Sequence, residues 1–136
     1  MNPLNDEICV PIKSAADIVV ARQKGRALAV QMGFSGSDPT VIAAAISEVA
    51  RNIVNHAVQG EVILSGIHES SRLGIQVVAR DEGPGISDIE QAMQYGYSSG
   101  KGMGVGLPGA KWLMDEFDIK SHVGKGTRVT MRKWVH

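Results

Sequence analysis

The sequence predicts a two-layer α+β fold, with helices on one face of a mixed, mostly antiparallel sheet. Two observations lead there. Alternating apolar runs and runs at helical spacing follow one another in the order β-α-α-β-β-α-α-β-β, and the paired strand runs are separated by short polar segments of hairpin length. A third observation bounds the answer: the chain has 136 residues, a length that suits one domain spanning 1–136 around one core.

The first strand is 7–12, where Ile8, Val10 and Ile12 alternate. Ser14 and Asp17 have the spacing of a capping box, and Ile18, Ala21, Gly25, Leu28, Ala29 and Met32 then recur at helical intervals up to Gly33. This gives a first helix over 15–32. Asp38 before Pro39 reads as an N-cap and first-turn pair, opening a second helix with Ile42, Ile46, Val49, Ile53 and Ala57 on one stripe and ending near Gly60. The β-prone runs 62–67 and 73–79 flank polar 68–72 as an antiparallel hairpin. A short helical segment over 88–94 and a helix over 107–116 come next. Strands over 117–123 and 127–134 then flank Gly124-Lys125-Gly126.

Lys plus Arg and Asp plus Glu number 14 each, so the formal charge is zero and there is no general electrostatic footprint for nucleic acid or for an anionic membrane. The lone Cys9 excludes an intramolecular disulfide and, between apolar neighbours, reads as a small buried side chain in a reducing compartment. No signal peptide or membrane-spanning run is visible, which makes a cytoplasmic protein the expectation. His56, His68, His122 and His136 share no ligand spacing. Trp112 and Trp134 read as core or interface residues.

Glycine is in excess, at 16 of 136 residues, against a usual level of about 7%. Ten of the 16 lie between Gly83 and Gly126. Gly102-Met103-Gly104-Val105-Gly106 offers backbone without side-chain bulk just ahead of a helix, a pattern that suits phosphate oxygens and also a plain turn. It is not a Walker A loop, because Gly96 to Gly102 lacks both the spacing and a hydroxyl after Lys101. Nor is it a dinucleotide fingerprint, which belongs after the first strand of a βαβ unit.

On the second helix Glu48 and Asn52 stand one turn apart on one face, at the border of the core. They suit a solvated carboxylate and amide. They equally suit a base that takes a proton from a nucleophile beside a neutral oxygen ligand for magnesium. Asp81-Glu82-Gly83-Pro84-Gly85 ends a central strand, either as a turn or as a carboxylate able to accept from the exocyclic amine of adenine. Gly124 to Thr127 reads as a hairpin turn, with the Thr127 hydroxyl available to the same network.

Taken in order, Ser47-Glu48-Val49-Ala50-Arg51-Asn52, Asp81 to Gly85, Gly100 to Leu107 and Gly124 to Thr127 resemble the N, G1, G2 and G3 boxes of the GHKL superfamily of gyrase, Hsp90, histidine kinase and MutL, whose fold is the Bergerat two-layer sandwich. The resemblance covers about 37–130. The Ser-Glu-x-x-x-Asn form, the Gly106-Leu107-Pro108-Gly109 continuation and the run Leu113-Met114-Asp115-Glu116-Phe117 are most similar to the anti-sigma and switch serine kinases, in particular the stressosome kinases.

That resemblance implies an ATP-dependent protein serine/threonine kinase using Mg2+. Glu48 would be its general base, Asn52 the magnesium ligand and Asp81 the adenine acceptor. Gly83 and Gly85 would admit the base, and Ile86 would begin a lid over 86–99 that holds Tyr95 and Tyr97. Lys101, Gly102, Met103, Gly104, Val105, Gly106 and Leu107 would hold phosphates, with Thr127 in support. The lid has no arginine for the transferred phosphate, which leaves Lys101, Arg51 or magnesium for that charge. The implied partners are a STAS-domain antagonist (RsbS-like) on an RsbR-like stressosome scaffold and an RsbU-type phosphatase. A homodimer is left open. The alternative is a nucleotide-gated anti-sigma or partner-switching module with little kinase activity.

Overall fold

Alternation along the strands decides which side of the sheet the helices cover. The computed structural model describes residues 7–57, 59–83 and 106–136. Its elements are β1 (Glu7–Ile12), α1 (Ala15–Met32), α2 (Asp38–His56), β2 (Gly60–Glu69), β3 (Arg72–Asp81), α3 (Gly106–Leu113), β4 (Glu116–His122) and β5 (Gly126–Trp134). The strands form one five-stranded sheet in the order β1-β2-β3-β5-β4. Every pairing in it is antiparallel. The parallel component allowed by the sequence reading is thus absent among the described strands, because β5 turns back from β4 into the slot beside β3.

Val10, Ile12, Val62, Leu64, Ile75, Val77, Ala79, Val129 and Met131 point to one face and meet Ile18, Leu28 and Met32 of α1 and Ile42, Ile46, Val49 and Ile53 of α2. Burial of each large apolar side chain contributes about 1.5–3 kcal/mol, so this shared layer fixes how α2 lies over β3. The Asp17 half of the expected capping box forms, with Asp17 Oδ2 accepting the N–H groups of Lys13 at 2.8 Å and Ser14 at 3.2 Å. Gly33 closes α1 at φ 102°, and the Phe34 N–H then reaches the Ala29 carbonyl at 3.1 Å. The α2 cap differs from expectation by one residue. Ser37 is the N-cap, and Asp38 sits in the first turn ahead of Pro39, where its charge favours the helix dipole.

The hairpin is longer than its apolar runs. Strands β2 and β3 pair from Gly60 opposite Asp81 to Glu69 opposite Arg72, leaving Ser70 and Ser71 as a two-residue turn with φ 49° and 69°. Such a turn favours asparagine and glycine, so the serines gave no signal. Helix α3 stops at Leu113 rather than at 116 because the Asp115 N–H joins the Arg132 carbonyl at 2.9 Å, and the Lys133 ammonium takes the Leu113 carbonyl at 3.1 Å. The expected segment 88–94 lies outside the described residues.

Gly126 is constrained twice. Its φ is 104°, and a Cβ there would stand 2.0 Å from the Asp81 carbonyl oxygen, so a side chain would force β5 away from the end of β3. No helix of the described residues is long and apolar enough to cross a membrane.

Cys9 corrects the sequence reading. It is exposed, because the alternation that sends Val10 and Ile12 inward sends Cys9 to the open face of the sheet. There its Sγ donates to Glu61 Oε2 at 2.9 Å, and Glu61 Oε1 accepts from the Arg80 guanidinium. The hydrogen bond to Glu61 pushes the Cys9 thiol above its ordinary range, with desolvation adding to it, so little nucleophilic thiolate forms near neutrality. Alkylation by iodoacetamide at pH 8 is therefore expected to run several-fold slower on the native chain than on the unfolded one, and Glu61→Gln should accelerate it. Equal rates for native and unfolded chain would contradict this.

Candidate functional site

Helix α2 runs over the sheet so that Glu48, at the border of its apolar stripe, faces the start of α3. The Glu48 side chain is 11% exposed. Its Oε1 accepts from Arg51 Nη1 at 2.6 Å, and its Oε2 accepts the backbone N–H of Gly106, 58 residues along the chain, at 2.9 Å. Gly106 has φ 68°, a left-handed geometry that glycine adopts without strain. The carboxylate thus holds α2 to the first turn of α3, in the position where backbone N–H groups favour an anion. Two bonds leave lone pairs on both carboxylate oxygens, so Glu48 can still accept a proton.

A cavity of about 430 Å3 lies between α1 and α2 and is lined in part by Arg22, Arg26, Thr40, Ser47 and Glu48. Glu48 is therefore reachable from the side of the two helices. The buried Ser47 hydroxyl is committed to the Ala43 carbonyl at 2.9 Å. Asn52, half-buried one turn beyond Glu48, makes no hydrogen bond among the described residues. A neutral amide oxygen left uncommitted beside a carboxylate suits magnesium, which takes few protein ligands and prefers phosphate oxygens and water for the rest. The residues present fit that ion.

A second cluster of expected site residues stands at the ends of β3 and β5, on a cavity separate from the one that Glu48 lines. Asp81 lies between Gly60 and Thr127 in the ladder, and its Oδ1 accepts the Gly83 N–H at 2.8 Å, which orients the carboxylate and leaves its second oxygen for another donor. Gly83 also sits against Ala57 at the end of α2, where a Cβ would stand 2.8 Å from the Ala57 Cβ. Asp81 and Thr127 line one cavity of about 870 Å3 together with Glu82, Gly126 and Lys125. The buried Thr127 hydroxyl is 2.8 Å from Ser121 Oγ, a residue the sequence did not single out.

Of the other expected phosphate-site residues, Leu107 is buried in α3. Gly85, Ile86, Lys101, Gly102, Met103, Gly104 and Val105 lie outside the described residues, as do Tyr95 and Tyr97. Arg51, one candidate for the transferred phosphate, is instead paired with Glu48. Trp134 is 2% exposed, whereas Trp112 is 80% exposed on α3 and has no place in the core. Among the described residues no group of three or more His, Cys, Asp or Glu side chains is placed to hold a metal ion.

The profile of the histidine kinase-like ATPase domain family matches residues 13–133. The chain belongs to that family. Within it, this ATPase domain is 44% identical over 132 residues to serine/threonine-protein kinase RsbT of Bacillus subtilis (strain 168), a match covering 97% of this chain and 99% of that one. It is 33% identical over 109 residues to the anti-sigma F factor of Thermoanaerobacter sp. (strain X514), covering 72% of this chain and 75% of that one. Among solved structures, the RsbU and RsbW domains of a Mycobacterium tuberculosis protein match the ATPase domain with a TM-score of 0.61 at 20% identity, covering 95% of this chain and 32% of that one. That likeness bears on the fold and agrees with the GHKL architecture of helices over one face of the sheet.

Proposed function

We propose that the chain is a protein serine/threonine kinase of the switch type. It phosphorylates a serine of a STAS-domain antagonist, RsbS-like, on an RsbR-like stressosome scaffold in the cytoplasm, and on release it activates an RsbU-type phosphatase. The observation that carries this reading is Glu48, which lies on the wall of the α1–α2 cavity and accepts the N–H of Gly106. The near full-length similarity to RsbT supports it.

ATP, when bound, supplies the phosphoryl group, and Mg2+ neutralises its phosphates. The chain's own residues do the rest. Glu48 takes the proton of the incoming serine hydroxyl, and Arg51 holds one of its oxygens in place. Asn52 presents its amide oxygen to the metal, Asp81 accepts from the adenine amine, and the glycine backbone ahead of α3 receives phosphate oxygens with Gly106 and Leu107. With Arg51 paired to Glu48, Lys101 is the side chain that would offset the charge of the transferred group, and Mg2+ held by Asn52 would add to it. Arg22 and Arg26 on the cavity wall favour an acidic substrate loop.

The test is transfer of label from γ-labelled ATP, with magnesium, to a purified STAS-domain protein. Wild type is expected to label a serine, and Asn52→Ala to lower the rate by about a hundredfold or more; undiminished transfer in that variant would remove Asn52 as the ligand. A second reading, a nucleotide-gated module that captures and releases a partner, is favoured by the similarity to an anti-sigma F factor. It predicts ATP-dependent capture of a partner without transfer.

A further inference from the structure

The sheet has two edges, β1 and β4, and they differ. On β1, Pro11 interrupts the edge and α1 packs against the strand. On β4 no residue is fully buried, and among the described elements its main packing is with β5. An edge strand offers a row of backbone donors and acceptors to another strand, and charged side chains such as those of β4 restrict which strand can add.

The charges along β4 say which strand fits. Its exposed open-face side chains run Glu116, Asp118, Lys120, His122, acidic at the start and basic at the end. Asp118 and Lys120 are placed symmetrically about Ile119. Among the described residues neither makes an ion pair. Lys120 instead lies opposite Arg128 of β5, a like-charged neighbour that disfavours the pairing.

We infer that a second copy of this chain adds edge to edge at β4, antiparallel about a two-fold axis through Ile119, joining the two five-stranded sheets into one. This register sets Asp118 opposite Lys120 of the second copy, and the symmetry makes that pair twice. It also sets Glu116 opposite His122 of the second copy and Ile119 opposite its own counterpart. Sliding by two residues either way would put Asp118 against Asp118 or Lys120 against Lys120, so the charges select one register. Both helix layers stay on the same side, where Phe117 and Ile119, partly buried against the core, lose their remaining exposure. Lys120 gains an acidic neighbour to offset Arg128. A single edge is small beside the roughly 1,200–2,000 Å2 of a stable interface, so the dimer is reversible and concentration-dependent. The inference does not rest on the kinase reading.

Sedimentation velocity on the full chain over a range of concentrations, at low and high salt, tests it. The expected result is a monomer–dimer equilibrium that weakens with salt, and that shifts toward monomer by about tenfold in Asp118→Lys or Lys120→Asp, each of which places like charges opposite one another twice. The double variant Asp118→Lys with Lys120→Asp restores the opposite-charge pairs and should return to within about threefold of wild type. A chain that stays monomeric throughout overturns the inference. So do single reversals without effect, or a double variant as weak as the singles.

Discussion

Glu48→Gln will bind ATP with nearly wild-type affinity and transfer its phosphoryl group about 10²–10⁴-fold more slowly, the contribution expected of a positioned general base. Glutamine keeps the length of the side chain and an oxygen able to accept the Gly106 N–H, now made to Glu48 Oε2 at 2.9 Å. It cannot take a proton. The substitution therefore separates the contact seen at this carboxylate, holding α2 to α3, from the role proposed for it, accepting the serine proton. Titration of ATP measures the first and single-turnover transfer to the STAS-domain protein the second. A loss of ATP binding equal to the loss of rate would make Glu48 a structural latch only. Arg51→Ala should fall between, because it frees one carboxylate oxygen without removing the acceptor.

The largest effect on stability is expected on the far side of the sheet from the helices. Trp134 is 2% exposed yet lies on the face opposite Val129 and Met131. Its ring fills the space left by Gly74, where a Cβ would stand 2.7 Å from Trp134 Cε3. The Arg72 guanidinium stacks 4.1 Å from the ring centroid, and the indole N–H donates to Glu116 Oε2 at 2.6 Å. Trp134→Ala is expected to cost about 3–5 kcal/mol, the usual range for removing a buried tryptophan, and to lower the melting midpoint by on the order of 10–20 °C. Trp134→Phe keeps most of the ring and should cost less than half as much. Similar melting curves for Trp134→Ala and wild type would contradict this burial.

What could be read from the sequence was set by local rules. Period-2 and period-3.6 spacing placed β1, α1 and α2 because burial of one face is imposed by the core alone. The same alternation already assigned Cys9 to the face opposite Val10, and the residue-type habit that suggested a buried thiol was the weaker rule. The Ser70–Ser71 turn was hidden because its positive φ values are imposed by the long β2–β3 pairing rather than by turn residues. The candidate site was read as four motifs, of which Gly85 and Gly100 to Val105 lie outside the described residues, and the contacts between the others were not legible. The Glu48 to Gly106 bond spans 58 residues, and no spacing rule reports contacts of that range. The Ser121 hydroxyl beside Thr127 escaped notice because a lone serine on an edge strand carries no signature.

Mass spectrometry of a STAS-domain protein incubated with this chain, magnesium and ATP tests the central claim most directly, with free phosphate measured in the same samples. The account predicts stoichiometric phosphoserine on the partner, little free phosphate, and none of the product with Glu48→Gln on the same time scale. ATP consumed to free phosphate without phosphoserine, or phosphoserine formed at the wild-type rate by Glu48→Gln, would contradict it.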